Sequence, residues 1–245
     1  MTETDWLSCS GPQKMLAFLR DRSASERKMR LFAVACCRRV WHLLREKRSR
    51  KAVKLAERFA DGEGDRSEMA AAHRAVHYSL KMDRPDKEWA MSHAQAAARE
   101  AAADDAGHAA IHAARYGQAA AKRLACAGVE AGPGARRGRS HDGRWRDTLT
   151  GTTAEKAEQA AQAELLRDIF GDPFKPATCD PSWRTSTVVS LARTIYDARS
   201  FELLPVLADA LMDAGCGNDE VLEHCRGPNI HVRGCWLIDL LLNRS

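Results

Sequence analysis

Aromatic residues are scarce in this 245-residue chain, with Phe, Trp and Tyr together making up 6%. That scarcity, beside a heavy use of alanine, biases the reading towards helix. No apolar run approaches the ~18 residues a membrane span needs, so no membrane partner is expected. The opening MTETDWLSCS lacks the basic and apolar regions of a signal peptide, which points to a cytoplasmic protein with reduced thiols. Eight cysteines stand at 9, 36, 37, 126, 179, 216, 225 and 235, but no CxxC pair occurs and the spacing gives no disulfide framework. No strand-like alternation of useful length is present. There is no GxSxG elbow and no HExxH, and Cys36-Cys37 falls mid-helix where nothing lowers a thiol pKa. Gly62-Glu-Gly64 and Gly132-Pro-Gly134 do not lead from a strand into a helix, so no phosphate cradle is indicated. No catalytic residue can be assigned, and an enzyme is not the favoured reading.

What is present is helical grammar. Alanine is heavily used between 69 and 127, and it loses no side-chain entropy in a helix. Ser23-Ala-Ser-Glu26 reads as a capping box opening a helix to about Leu44. Its apolar stripe is Met29, Ala33, Cys36, Val40 and Leu43, with Arg30, Arg38, Arg39 and Arg45 opposite. Ser49 is expected to cap a helix to about 60, and Asp65 to Glu68 to open one to about Lys81. Breaks are expected at 83–86 and at Asp104 to Gly107. Thr152 to Glu155 reads as a further capping box, for a helix ending near Phe170. Helices follow at about 186–198, 201–214, 219–226 and 230–242, with Gly215 and Gly227 at C′ positions and Asn218 and Asn229 as N-caps. The expected class is all-α, a multi-helix bundle or irregular helical array. Its organisation is a helical region 1–127, a flexible basic linker 128–151 and a helical region 152–245 able to pack with 1–81 as one domain.

With a formal net charge of +5 the chain is mildly basic. The linker concentrates Arg136, Arg137, Arg139, Arg144 and Arg146 around Trp145, a pattern that can pair with phosphates and stack on a base. A nucleic-acid-associated protein using this loop and the arginine face of the helix from Ser23 is thus one alternative. The leading expectation is a binding or adaptor module for an unidentified protein partner, because it asks least of the residues.

The third alternative is a metal-binding protein or metal-dependent enzyme. It rests on HCRGPNIHVRGCW at 224–236, where Cys225, His231 and Cys235 supply three zinc-ligand types and His224 a fourth, with Cys36 able to complete a set. Adjacent His224 and Cys225 diverge by about 100° on a helix, so both cannot easily face one ion. The favoured reading is therefore punctuation: a helix end at Gly227, a connection at Pro228-Asn229 and an apolar helix from Ile230, with the cysteines as small core groups. His108 and His112, an i,i+4 pair preceded by Asp104 and Asp105, form a second candidate, as do His73 and His77.

The segment LPVLADALMDAG at 204–215, followed by HVRGCWLIDLL at 231–241, has the grammar of α-solenoid helix pairs. LADALMDAGC at 207–216 and HCRGPNIHVRGCWLIDLLL at 224–242, together with ACCRRVWHLL at 35–44, RSRKAVKLAERFADG at 48–62 and LLRDIFGDPFKP at 165–176, resemble a family of uncharacterised helical proteins of planctomycete type. That resemblance implies no activity, cofactor or site.

Overall fold

A computed structural model describes residues 1–76, 86–129 and 149–244. Among them the chain is all-α, with no strand. The helices are α1 (Glu3–Ser8), α2 (Pro12–Asp21), α3 (Glu26–Arg39), α4 (Lys47–Ala60), α5 (Arg66–Ala75), α6 (Asp86–Ala101), α7 (Ala106–Val129), α8 (Leu149–Phe170), α9 (Ser186–Ala198), α10 (Leu204–Asp213), α11 (Asp219–Arg226) and α12 (Trp236–Leu241). None of the described helices is long and apolar enough to cross a membrane. The chain divides into two compact units, Ser10–Gln162 and Met1–Cys9 with Ala163–Ser245, the boundary falling inside α8. The expected linker 128–151 lies mostly outside the described residues, as do its arginines and Trp145.

Several helix starts differ from expectation, each for a local reason. Ser25, not Ser23, caps α3 by accepting from the Lys28 amide, and Ser23 sits in the left-handed region at φ 52°. Ser49 lies inside α4, fully buried, with a hydroxyl that finds no partner. Thr152 is likewise inside α8 rather than at its start. The Asp65 cap is as expected, accepting from the Glu68 amide at 2.8 Å, and the break after Ala101 falls where Asp104 to Gly107 placed it.

In the unit Ser10–Gln162, α3 is buried along most of its length from Met29 to Cys37 and packs against α4, α6 and α7. The pairing of α6 with α7 is lined by buried alanines such as Ala94, Ala97, Ala101, Ala109 and Ala113. Small side chains allow close approach but each removes little apolar area from water. Buried polar pairs fix the register instead. Arg39 grips Glu158 at 2.9 Å, Gln162 donates to Glu158 at 3.1 Å, and Gln118 donates to Gln162 at 2.6 Å. Arg38 donates to Glu57 at 2.7 Å, and Arg30 is 3% exposed. Three of the four arginines expected to form a basic face are therefore committed within the fold.

In the other unit, α9 packs on α10, α10 on α11, and α12 returns to α9. The shared core includes Val188, Ile195, Leu207, Leu211, Val221 and Ile238. The first nine residues belong here. Arg167 of α8 donates to the carbonyls of Trp6 and Cys9, both at 3.0 Å, and the fully buried Trp6 donates its indole N–H to the Gly171 carbonyl at 3.0 Å.

Candidate metal centre

The segment 228–235 departs from its expected course. Its composition predicts a helix from Ile230, yet the helix begins only at Trp236, with Cys235 as its N-cap residue. Tertiary contacts override the local preference. Gly234 takes φ 93°, a conformation that suits glycine. Arg233 donates to the Tyr196 carbonyl at 3.3 Å and lays its guanidinium over that ring at 4.6 Å. The Val232 amide donates to Asp168 Oδ2 at 3.0 Å. Gly227 is not a left-handed C′ residue but extended, at φ −65° and ψ 158°. The non-helical path turns His231 and Cys235 inward together.

They meet His224, from the last turn of α11, and Asp168, from the last turns of α8. One donor atom from each of Asp168, His224, His231 and Cys235 lies within 4.8 Å of all the others. His231 Nδ1–H donates to Asp168 Oδ1 at 2.7 Å. His224 Nε2 lies 3.1 Å from Cys235 Sγ and 3.6 Å from Asp168 Oδ1. Trp236 Nε1, which can only donate, gives its proton to His224 Nδ1 at 3.2 Å. Neutral His224 therefore carries its own proton on Nε2 and gives it to Cys235. His231 Nε2 is buried with no partner. An uncompensated buried polar atom costs about 1–3 kcal/mol, a local cost that the surrounding fold carries.

Burial sets the charge state. It raises the Asp168 carboxyl above its ordinary value against the opposing pull of His231 and the Val232 amide. It pushes His224 down to about 3, with His231 adding to the effect. It lifts the Cys235 thiol well above the usual range, and the Asp168 charge lifts it further. A thiol beside an imidazole suggests a nucleophile and base, but a fully buried thiol held protonated is not activated. A divalent cation reverses the balance, because a coordinating thiol is deprotonated by the ion itself.

The residues fit such an ion. With Zn–N of about 2.0 Å and Zn–S of about 2.3 Å, a tetrahedron has donor separations of roughly 3.3–3.7 Å. Of the contacts among the four, 3.6 Å lies inside that range and 3.1 Å just below it, no pair exceeds 4.8 Å, and the 2.7 Å contact of His231 with Asp168 must open by about 0.6 Å as Nδ1 gives up its proton.

Of the residues singled out from the sequence, His224, His231 and Cys235 join this cluster. Cys225 points into the apolar core instead, and burial raises its thiol to about 12. Cys36 is fully buried on α3, in the unit Ser10–Gln162. His108 and His112 stack with ring centroids 4.0 Å apart, and His108 Nε2 meets Glu100 at 3.0 Å. His73 is on α5, while His77 lies outside the described residues. Asp168 was not anticipated. Its signal is a carboxylate sharing one helix face with Leu165 and Ile169, where an apolar residue belongs. No family model matches the chain, and no curated protein or solved structure matches it significantly.

Proposed function

We propose that this is a metal-binding helical protein whose C-terminal unit is held by one zinc-type ion at Asp168, His224, His231 and Cys235. The observation that carries the reading is the convergence of four ligand-type groups from three separate chain segments within 4.8 Å. All four side chains are almost fully buried, the most accessible being His224 at 11%. Four protein donors leave no open coordination position, which favours a structural role over a catalytic one. The ion would join α8, α11 and the turn before α12 and so replace part of what a lean aromatic content leaves out.

Coordination through His224 Nε2 moves that ring's remaining proton to Nδ1. Two N–H groups then face one another at the present 3.2 Å contact with Trp236, and the indole must shift. Titrating zinc into metal-free protein is expected to change Trp emission and saturate at about one equivalent per chain. Trp236→Phe should remove the emission change while retaining the stoichiometry. Saturation of the signal with no zinc retained after gel filtration would contradict the reading.

A further inference from the structure

Beside the metal centre, and within the same unit, lies a cleft of about 560 Å³. Five carboxylates line it, from Glu164, Asp168, Asp172, Glu220 and Glu223, against one cationic residue. That residue, Arg167, is tied to the Trp6 and Cys9 carbonyls and to Glu164 at 2.7 Å. Asp168 belongs to the metal cluster and Glu164 is paired with Arg167, so Asp172, Glu220 and Glu223 form the acidic wall, with Lys175, bound to Glu3, close enough to feel Asp172 and Glu220. The lip of the cleft is apolar: Leu7 and Ile230 are 55% and 51% exposed, among the most exposed large apolar side chains described. Low-dielectric walls lined by one sign of charge focus the field on a partner of opposite sign, and an exposed apolar rim marks a surface that becomes covered.

We infer that this cleft docks a peptide segment of another protein in which arginine or lysine side chains adjoin a leucine-like one. Charge complementarity selects the occupant. Phosphate backbones and anionic lipid surfaces are repelled by the carboxylates. A simple polyamine satisfies the acidic wall but leaves Leu7 and Ile230 uncovered. A basic segment with an apolar neighbour meets both, placing its cation against Glu220 and Glu223 and its aliphatic group on the lip. His224 lines the same cleft, so the docked segment lies over the metal centre without supplying a ligand to it.

The test is fluorescence anisotropy on the full chain with a fluorescein-labelled synthetic peptide of alternating arginine and leucine. Two controls replace every leucine with glycine or every arginine with glutamate. Zinc content is measured in the same samples, so failure of docking and failure of metal binding are read separately. Saturable binding of the first peptide is expected, weaker binding of the glycine control and none of the glutamate control. The double variant Glu220→Gln, Glu223→Gln should weaken binding about tenfold, the size expected of two rim ion pairs. Leu7→Ser should weaken it with zinc stoichiometry unchanged. Absence of binding, equal binding of the glycine control, displacement by spermine at comparable concentration, or indifference to both variants would each overturn the inference.

Discussion

Cys235→Ser is expected to cost the zinc-loaded protein about 5 kcal/mol when free zinc stands a thousandfold above the wild-type dissociation constant, about 4 of it from the lost ion. For a chain of this size that lowers the melting temperature by roughly 10–20 °C. In chelator the same substitution should cost only about 1 kcal/mol, since a buried thiol is replaced by a slightly smaller hydroxyl that keeps His224 as a partner. The difference between the two conditions isolates the ion from packing. Comparable melting shifts with and without zinc would mean that Cys235 acts only as a core residue.

Arg30→Ala carries the second large effect, in the unit Ser10–Gln162. The Arg30 guanidinium donates to the carbonyls of Ala101, Ala103 and Asp104 at 3.3, 2.6 and 2.7 Å, and it sits 5.2 Å from the centre of the Phe59 ring. It thus satisfies the last carbonyl of α6, which an α-helix cannot satisfy within itself, and two carbonyls of the connection that follows. Burial lowers its pKa, with Asp104 the largest opposing influence. Truncation removes three charge-assisted bonds, although the partly exposed carbonyls regain water. The expected loss is about 3 kcal/mol, or roughly 6–12 °C in melting temperature. Arg30→Lys should recover only part of it, because a single ammonium cannot span three carbonyls as the planar fork does. A shift within about 2 °C for the alanine variant, followed by circular dichroism, would contradict this role.

The helical class and most helix positions were legible in the residues because they follow from local rules. Apolar periodicity gave α3, α9 and α11, and side-chain caps such as Asp65 and Asn218 act within one turn. Ser23 and Ser25 are equally good caps on composition, and only the left-handed backbone at Ser23 separates them. The proposed metal centre was half legible. HCRGPNIHVRGCW displays its ligand types openly, and the divergence of His224 from Cys225 was foreseeable from helix geometry. What local rules could not supply was the path of 228–235. Its helical preference yields to Asp168, Arg233 and Tyr196, all fixed by tertiary packing. Read as a helix from Ile230, the segment gives no reason for His231 and Cys235 to meet His224. Asp168 is distant in sequence and could be found only as a charge out of place on an apolar face.

The most direct test of the central claim is the visible spectrum of the protein loaded with cobalt(II). A site of Asp168, His224, His231 and Cys235 should give the intense d–d bands of tetrahedral cobalt together with a sulfur-to-metal charge-transfer band, the latter lost in Cys235→Ser. The weak spectrum of six-coordinate cobalt, or a charge-transfer band that survives Cys235→Ser, would contradict it.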